Sequence, residues 1–443
     1  MHTKGWFILI IIFVVSLITG CSETGDRKKV MASDLTLFVA TDIHYLAKEL
    51  NDQGEAYQKY IASGDGKLLH YITDIVDAFV QDTIEKKPEV LIISGDLTNN
   101  GEKESHRELA DKLKEIEKSA GTKIYVIPGN HDIQNPWARG FQGTEQYVTD
   151  SIMAEEFPEI YNDFGYEEAI SKDAASLSYL AAPSEKLYLL MLDTSIYDFN
   201  EMIGSPMTNG QLKPETLEWI KECSKLAKEK NAQILTVMHH NLYHHSKLLN
   251  SGFTIDKNDE VLRVFQECDM RLVLSGHIHV QDIKSGEGDA PIYDIVTSAL
   301  SVNPVQYGVI EYTAGTGYQY STDQVDVEGW AKREGITDEN LLGFRDYAKR
   351  YFTRTSYEKV YTALTESGVY TEEEVLLMTD TMSLLNTNYF AGTTADIKDE
   401  VMKSKGYQLW KAADDTAFHK NYIISMAEDN NQNQNELMIP IKE

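Results

Sequence analysis

Cysteine is scarce in this sequence, with three residues among 443. Cys223 and Cys268 each lie in a segment of helical periodicity, and two such positions seldom meet the geometry that a disulfide requires. We therefore predict two buried free thiols, with a disulfide as the alternative. Neither cysteine has the spacing of a metal-binding motif, so no cysteine-based metal site is expected.

Positive charge is also in short supply. The 41 Lys and Arg residues face 70 Asp and Glu residues, which gives a formal net charge of −29. A long nucleic acid needs cationic side chains to neutralise its phosphates, so this class of partner is excluded. Small anions are not, because bound cations can dominate the field inside a site. The apolar fraction of 42% and the length are typical of a soluble globular chain with two domains.

Two hydrolase signatures are missing as well. The chain has no His-Glu-x-x-His motif, which excludes a zincin peptidase. It also has no His-x-His-x-Asp-His motif, which excludes a metallo-β-lactamase-type hydrolase. Any metal chemistry must therefore use another arrangement of ligands.

The N-terminus contains an apolar run, Trp6 to Ile18, that suits a signal peptide and is short for a membrane span. It ends in Ile18-Thr19-Gly20-Cys21, which resembles the bacterial lipobox. We predict a lipoprotein signal peptide over residues 1–20, a lipidated Cys21 and a linker over 21–33. The mature chain is then anchored at the extracytoplasmic face of the cell membrane. An ordinary signal peptide and an uncleaved anchor are the alternatives.

Polar residues follow five short apolar runs that have strand character. Eight of the 12 histidines lie in or beside these polar stops, at the strand ends where an α/β sheet places its chemistry. The stops are Asp42-x-His44, Gly95-Asp96, Gly129-Asn130-His131-Asp132, His239-His240 and Gly276-His277-x-His279.

Strands and helices alternate along the chain, which predicts an α/β fold. The predicted strands are 35–40, 90–93, 123–127, 187–192, 234–237 and 272–274, and the predicted helices are 68–84, 103–119, one opened by Pro214, and 260–267. The long segment 133–175 follows His131, and we expect it to form a wall or lid of the site.

The region after Val327 has helical patterning and predicts a small all-helical C-terminal domain. Leu341, Phe344, Ala348 and Tyr351 have helical spacing, and Thr371 with Glu374 forms a capping-box signal after a C-cap glycine, Gly368. We place this domain at 327–428 and a flexible Asn/Gln-rich tail at 429–443. The domain either caps the site of its own chain or dimerises, so the oligomeric state stays open.

Asp, His and Asn together are the ligands expected for Zn, Mn or Fe rather than Ca²⁺ or Cu(I). Asp96 has two carboxylate oxygens and can bridge two ions about 3.5–4 Å apart. Two divalent cations carry four positive charges, against two negative charges from Asp42 and Asp96. The site therefore attracts an anion such as phosphate.

The five polar stops, in this order, resemble the signature of the calcineurin-like metallophosphoesterases over residues 34–325. The chain looks most like the class III cyclic-nucleotide phosphodiesterase branch of that family. The resemblance implies a β-sandwich flanked by helices, in four layers α/β/β/α, which we place at 34–326.

The resemblance also implies roles for individual residues. The first metal would be bound by Asp42, His44, Asp96 and His279, and the second by Asp96, Asn130, His239 and His277. A hydroxide bridging the metals would attack phosphorus in line. His131 would stabilise charge and protonate the leaving oxygen, with either Asp132 or Asp42 as its partner. His44, Asn130 and His131 would contact the substrate.

The roles of further residues near the polar stops are open to two interpretations. Arg139 either contacts the substrate phosphate or packs in the lid, as do Trp137 and Phe141. The family often has His-His-Pro at the fourth stop, but here Asn241 follows His240, so the course of that loop is open. We expect His240 to face the substrate, and His244 and His245 to be exposed loop residues.

Three functions are compatible with these observations. The first is a dinuclear-metal phosphodiesterase that acts on cyclic nucleotides or related small phosphodiesters. The second is a broad phosphomonoesterase, such as a nucleotidase or a phosphoprotein phosphatase. The third is a lipid-anchored metal-binding scaffold without turnover, against which the presence of Asp96 and His131 argues.

Overall fold

The computed structural model describes residues 34–414, 418–429 and 433–441. The predicted signal peptide over 1–20, the lipidation site Cys21 and the linker over 21–33 lie outside the described residues. In the described part of the chain, every helix is too short or too polar to cross a membrane.

Two large β-sheets form the centre of the molecule. Their inner strands are fully buried aliphatic runs, as expected of parallel strands that are covered on both faces. The strands are β1 (Leu35–Ala40), β2 (Val90–Ser94), β3 (Lys123–Ile127), β4 (Arg139–Gln142), β5 (Glu145–Val148), β6 (Ser171–Lys172), β7 (Tyr179–Ala181), β8 (Leu187–Leu192), β9 (Gln233–Met238), β10 (Leu272–Ser275), β11 (Asp282–Ser285), β12 (Tyr293–Val296), β13 (Gln306–Thr313), β14 (Gly317–Gln324) and β15 (Glu436–Pro440).

The strand order brings the five polar stops to one end of the molecule. The six-stranded sheet has the order β15-β14-β13-β1-β2-β3, and β1, β2 and β3 are parallel. The seven-stranded sheet has the order β11-β12-β10-β9-β8-β7-β6, and β8, β9, β10 and β12 are parallel. Each polar stop follows β1, β2, β3, β9 or β10, so all five stops lie at carboxyl ends of parallel strands.

The helices confirm the predicted α/β pattern, with small shifts at their ends. A short 3-10 turn at Leu69–Tyr71 precedes α2, so the helix predicted from Leu68 begins at Ile72 instead. The helices are α1 (Glu55–Ser63), α2 (Ile72–Lys86), α3 (Lys103–Ala120), α4 (Glu156–Ile160), α5 (Asn200–Ile203), α6 (Pro214–Glu229), α7 (Asn258–Glu267), α8 (Val327–Arg333), α9 (Glu339–Leu342), α10 (Phe344–Ser367), α11 (Glu372–Phe390), α12 (Thr394–Lys403), α13 (Lys405–Ala412) and α14 (Phe418–Ala427).

Helices α6 and α7 cover one face of the seven-stranded sheet. Ile220 of α6 and Phe265 of α7 belong to one buried apolar cluster with Leu190 of β8. Cys223 and Cys268 lie in the same cluster, and both are free thiols, as predicted. Sheets covered by helices confirm the α/β fold class.

The C-terminal region is helical from α8 to α14, as predicted. Gly368 ends α10 with φ +64°, a conformation that glycine adopts at little cost. The Thr371 side chain accepts a hydrogen bond from Glu374 N, and the Glu374 carboxylate accepts one from Thr371 N. These reciprocal bonds confirm the capping box at the start of α11.

The helical region packs directly against the chain that carries the fifth polar stop. Ile278 and Val280 share a buried cluster with Met378, Leu385 and Trp410. Ile278 lies between His277 and His279, so the C-terminal helices support the turn that bears both histidines. The Tyr389 hydroxyl also donates to the carbonyl oxygen of His245, at 2.9 Å.

Helix α10 also supports residues 64–71, the segment between α1 and α2. Gly66 has φ +95°, and a Cβ atom there would lie 2.7 Å from the Phe352 ring. His70 Nε2 lies 2.6 Å from the Tyr347 hydroxyl, and Tyr351 packs against the cluster that contains Leu69. The helical region thereby holds the course of this segment.

The prediction of a flexible tail from Asp429 is wrong for residues 436–440. This segment forms β15, which pairs antiparallel with β14 and ends the six-stranded sheet. Ile439 is buried, while its neighbours Met438 and Pro440 are more exposed. The sequence analysis missed this short strand because the Asn/Gln-rich composition of the preceding residues is typical of a flexible tail.

Candidate metal centre

The polar stops meet where the strand ends of the two sheets come together. His277 N donates to the Asp42 carboxylate at 2.9 Å. His239 Nδ1 lies 2.9 Å from the carbonyl oxygen of Ser94, the last residue of β2. Hydrogen bonds between the two sheets therefore define the site from both sides.

Five of the seven predicted metal ligands have a left-handed backbone conformation. This conformation costs a non-glycine residue about 1–3 kcal/mol, and such strain clusters at functional sites. Backbone hydrogen bonds maintain it, such as Asp42 N to Gly95 O at 3.1 Å and His44 N to Asp96 O at 3.0 Å. The φ angles are +51° for Asp42, +49° for His44, +49° for Asp96, +69° for His277 and +65° for His279.

Asp42, His44, Asp96 and His279 form the first group of ligand atoms, which lie within 4.8 Å of one another. His279 Nε2 lies 3.3 Å from Asp42 Oδ1 and 3.1 Å from His44 Nε2. Asp42 Oδ1 is buried and has no hydrogen-bond donor among the described residues. A buried carboxylate oxygen without a partner is costly, and a cation among these atoms would satisfy it.

Asp96, His239 and His277 form the second group. His239 Nε2 lies 3.4 Å from Asp96 Oδ1 and 3.3 Å from Asn130 Oδ1, which brings the predicted amide ligand to the same place. His239 Nδ1 faces the Ser94 carbonyl oxygen, which can only accept, so Nδ1 carries a proton and Nε2 is the nitrogen that can bind metal in the neutral ring. Asp96 belongs to both groups.

The side chains of both groups fit divalent cations. Burial raises the pKa of Asp42 and Asp96, but neighbouring imidazoles outweigh burial and leave both pKa values below their usual range. Burial lowers the pKa of His277 to about 4. Ionised carboxylates and a neutral imidazole are the forms that bind metal. His277 Nε2 faces the carbonyl oxygens of Thr208 and Gly252, which leaves Nδ1 for a metal.

Asn241 stands where the family that the sequence resembles often has proline, and its side chain joins two turns of the site. Its Nδ2 donates to the carbonyl oxygen of Gly276 at 2.8 Å and to Ser275 Oγ at 3.2 Å. The first turn follows His239 and the second carries His277. The substitution therefore leaves His239 in place and adds a direct connection between these ligands.

His131 lies beside the first group, with its ring centroid 5.0 Å from that of His44. Its Nδ1 is 2.8 Å from the carbonyl oxygen of Asn99 and 3.1 Å from Asn100 Oδ1. Because a carbonyl oxygen can only accept, Nδ1 carries the proton and Nε2 is left for a substrate. The backbone N–H of His131 donates to Asp96 Oδ1 at 2.9 Å, which fixes the residue against the metal ligands.

The predicted pairing of Asp132 with the His131 ring is wrong. Burial raises the pKa of Asp132 to about 7, and its oxygens bond to the turns after β2 and β3 instead. Asp42, the alternative partner, accepts from His277 N and lies beside His279. Asp132 thus has a structural role. Its donors are Leu97 N at 3.1 Å, Thr98 N at 2.9 Å, Thr98 Oγ1 at 2.9 Å and Gly129 N at 2.8 Å.

The prediction that His240 faces the substrate is also wrong. His240 is fully buried, with Nδ1 2.8 Å from Thr194 Oγ1 and Nε2 3.2 Å from the Thr208 carbonyl oxygen. Both ring nitrogens are therefore used within the protein. Its ring centroid lies 4.5 Å from that of His277, so His240 packs behind a ligand.

His244 is exposed as predicted, but the same prediction for His245 is wrong. His245 is buried between two carboxylates, with Nδ1 2.8 Å from Asp282 and Nε2 3.0 Å from Asp294. Burial lowers the pKa of His245, but Asp294 and Asp282 outweigh burial and raise it to about 9. The charged ring connects the loop after β9 to β11 and β12, a pairing that sequence spacing does not reveal.

A cavity of about 410 Å³ opens beside His131. The predicted substrate residue Arg139 lines it, together with Trp137 from the same segment, so part of the segment 133–175 does form a wall. Lys67 also lines the cavity, and sequence reasoning missed it. Its signal was the glycine-rich turn Gly64-Asp65-Gly66-Lys67, which ends shortly before a helix.

Two family models match this chain. The calcineurin-like phosphoesterase model matches residues 35–281, which include every predicted metal ligand. A model described as the C-terminal domain of cyclic nucleotide phosphodiesterase matches residues 326–433, which include the helices α8 to α14.

Similar proteins are known from sequence and from structure. A probable glycerophosphodiester phosphodiesterase, GpdQ, of Arcobacter nitrofigilis is 32% identical over 101 residues, or 21% of this chain and only 36% of the relative. A dimetal phosphatase from Danio rerio has 12% identity and a TM-score of 0.45, over 65% of this chain and 95% of that protein. The protein TT1561 of Thermus thermophilus has 13% identity and a TM-score of 0.36, over 66% of this chain and 99% of that protein.

Metal binding at the second group should release a proton near neutral pH. Burial lowers the pKa of His239, but Asp96 and Asp42 outweigh burial and raise it to about 9. The metal-free protein therefore holds this proton at neutral pH, whereas a metal binds the neutral ring. Metal affinity at this group should rise about tenfold per pH unit up to about pH 9 and then level off.

Calorimetric titration of the metal-free protein in two buffers of different ionisation enthalpy measures the proton count. The variant His239→Ala is the control, because it should lose the second metal and this proton release together. Metal uptake by the unchanged protein without proton release, or with an affinity independent of pH between neutrality and pH 9, would contradict the expected coupling.

Proposed function

We propose that this chain, which belongs to the calcineurin-like phosphoesterase family, is a metal-dependent phosphoric ester hydrolase. Its substrates are phosphodiesters, with cyclic nucleotides as the leading substrate class. The observation that carries the proposal is the pair of ligand groups sharing Asp96, with His131 and an open cavity beside them. The match of residues 326–433 to a domain of cyclic nucleotide phosphodiesterase favours this substrate class. The name of the curated relative also favours a diester.

The chain's own charges prepare the site for phosphate. Asp42 and Asp96 are the two carboxylates among the ligands, and the other members are imidazoles and the Asn130 amide. Two divalent cations supply Lewis acidity and bring the pKa of water close to neutrality when bound, and this donor set suits Zn, Mn or Fe. Because the two carboxylates would neutralise only half of the charge of two divalent cations, the loaded site would be net positive and attract an anion.

His131 is the group placed to protonate the leaving oxygen. The Asn99 carbonyl oxygen holds Nδ1–H at 2.8 Å, so the ring is oriented before a substrate arrives. Burial lowers the pKa of His131, Asp96 raises it, and the positive charge of Lys67 lowers it further. A phosphate anion beside the ring favours the protonated imidazole. Substrate binding therefore raises the pKa of His131 and converts the ring into the general acid.

A phosphomonoesterase is the second candidate function. Lys67 and Arg139 both line the cavity, and a monoester carries more negative charge than a diester. The same ligand groups serve either reaction, so the relative rates for matched substrates distinguish the two functions.

Purified, metal-loaded protein should hydrolyse diesters faster than monoesters. We expect turnover of 2′,3′- or 3′,5′-cyclic nucleotides, and a higher kcat/KM for bis(p-nitrophenyl) phosphate than for p-nitrophenyl phosphate. Initial rates of release of nucleotide or nitrophenol measure this. A monoester rate far above every diester rate would instead support the phosphomonoesterase.

The control for this assay is Asp96→Asn, which removes the residue that both ligand groups share. It should lose bound metal and activity together, as measured by elemental analysis and by the same substrates. Activity of equal size in this variant would identify a contaminating phosphatase. Asp193→Asn, another buried aspartate, should retain both metal and activity.

Replacing His131 by Ala should lower kcat by about a hundredfold or more while both metals stay bound, because a general acid contributes about that much. The deficit should be smaller for bis(p-nitrophenyl) phosphate, since nitrophenolate leaves without a proton. Rapid-mix kinetics and elemental analysis of the same sample measure both properties. His244→Ala is the control, because His244 is exposed and bonds only to Thr254 Oγ1 among the described residues. Loss of metal from His131→Ala would refute the assigned role.

We further propose that the mature chain is anchored to the extracytoplasmic face of the cell membrane through a lipid on Cys21. The support is the apolar run before Ile18-Thr19-Gly20-Cys21 in the sequence. Mass spectrometry of the mature N-terminus should find an acylated Cys21, and Cys21→Ala should move the protein out of the membrane fraction. A mature N-terminus at another residue would refute this assignment.

A further inference from the structure

The cavity beside His131 has two cationic side chains on its wall. Lys67 comes from the segment between α1 and α2, and Arg139 comes from β4. The chain as a whole has a net charge of −29. The side chains that line this cavity include two cations and a single carboxylate, Asp65, so the local charge has the opposite sign. Such a reversal favours an anionic ligand.

Lys67 is available to a ligand. Its ammonium makes no hydrogen bond or ion pair within 34–414, 418–429 and 433–441, although Asp65 lies nearby on the same turn. Gly66, which packs against Phe352 of α10, holds the turn in this position.

Arg139 is oriented before any ligand binds. Its Nη1 donates to the carbonyl oxygens of Pro136 at 2.9 Å and Ala138 at 2.7 Å. These bonds occupy one nitrogen of the guanidinium, whose remaining N–H groups can bind two oxygens of a phosphate. A fixed guanidinium loses little conformational entropy on binding, so this residue suits a built anion site.

Aromatic rings border the same space. Trp137 is 47% exposed, which is high for a tryptophan, and its Nε1 donates to the Gly204 carbonyl oxygen. Tyr60 also lines the cavity, and its hydroxyl accepts hydrogen bonds from Asn99 Nδ2 and Asn100 Nδ2, which fix the position of its ring. A nucleobase can stack on such rings.

We propose that Lys67 and Arg139 form a subsite for a second phosphate, carried by the leaving group of the substrate. This inference rests on the proposed phosphodiesterase function and adds a further substrate class to the cyclic nucleotides, namely linear nucleotide diesters with an additional phosphate on the leaving nucleoside. The cavity lies on the His131 side of the metal ligands, which is where the leaving oxygen must be to receive the proton. Trp137 and Tyr60 then border the nucleoside between the two phosphates.

The linear dinucleotides pApA and ApA test the subsite, because they differ only in the 5′-phosphate. Hydrolysis forms a bond from a water oxygen to the bridging phosphorus and breaks the bond from phosphorus to O3′, which takes a proton from His131. The leaving group is AMP in pApA and adenosine in ApA. We expect kcat/KM for pApA to exceed that for ApA by about tenfold, as a charge-assisted phosphate contact gives.

Charge variants should change this preference in opposite directions. Lys67→Gln and Arg139→Gln should each bring the pApA/ApA ratio towards one, whereas Asp65→Asn should increase it. Lys59→Gln is the matched control: Lys59 lies on α1, is 71% exposed and pairs with Glu55, so its loss should leave the ratio unchanged. Opposite shifts for Lys67 and Asp65 are not expected of residues that only support the fold.

Several results would overturn the subsite. One such result is a wild-type ratio of kcat/KM for pApA to that for ApA near one. Another is an equal loss of kcat/KM for both dinucleotides in Lys67→Gln, which would assign Lys67 to the scissile phosphate. Hydrolysis of bis(p-nitrophenyl) phosphate without turnover of either dinucleotide would overturn it too. If no diester is hydrolysed, the proposed function fails. The subsite is then tested separately, by calorimetric titration of the metal-loaded protein with pApA and with ApA. Equal affinities would then refute the subsite, and tighter binding of pApA would support it.

Discussion

The carboxylate of Asp96 is the point on which the rest of the site depends. It follows β2 of the six-stranded sheet, yet it lies 3.4 Å from His239 of the seven-stranded sheet and accepts a hydrogen bond from His131 N. One side chain therefore sets the spacing of the two ligand groups and of the proposed acid. The close approach also explains Gly129, because a Cβ atom there would collide with both the backbone and the carboxylate of Asp96. Even a small displacement of β2 relative to β9 would disturb all three features together.

The left-handed turns show how the fold stabilises this arrangement. A residue such as His44 or His279 is strained on its own, and the strain persists only because hydrogen bonds and packing hold the turn. Asn241 bonds to the turn of the fifth stop, and Ile278 anchors that turn in the apolar cluster of the C-terminal helices. The helical region therefore acts on the chemistry by fixing ligands, without supplying one itself among the residues that meet at the site.

The strand ends and the metal ligands could be read from the sequence because both depend on local patterns. Buried strands are continuous apolar runs, and Asp42-x-His44 or His277-x-His279 directly follow them. Roles set by long-range contacts could not be read in this way. Asp132 adjoins His131 in sequence, but its carboxylate bonds to backbone donors of another loop, and His245 lies between two carboxylates from distant strands. Lys67 escaped notice because its glycine-rich turn indicates a change of chain direction but does not show that the turn borders a cavity. The strand β15 was not predicted because the polar residues next to it in the sequence are typical of a flexible tail.

The pairing of β1 has a consequence for the order in which the protein is completed. This strand, which precedes Asp42 and His44, lies between β2 and β13, and Leu35 pairs with Tyr312. The same sheet continues through β14 to β15, which is formed by residues 436–440. Contacts so distant in sequence form slowly and require both partners to be present. During synthesis, Asp42 and His44 are therefore made long before β13, the strand that pairs with β1 on its second edge. The first ligand group can therefore be complete only after His279, which follows Asp42 by more than half of the sequence, has been synthesised.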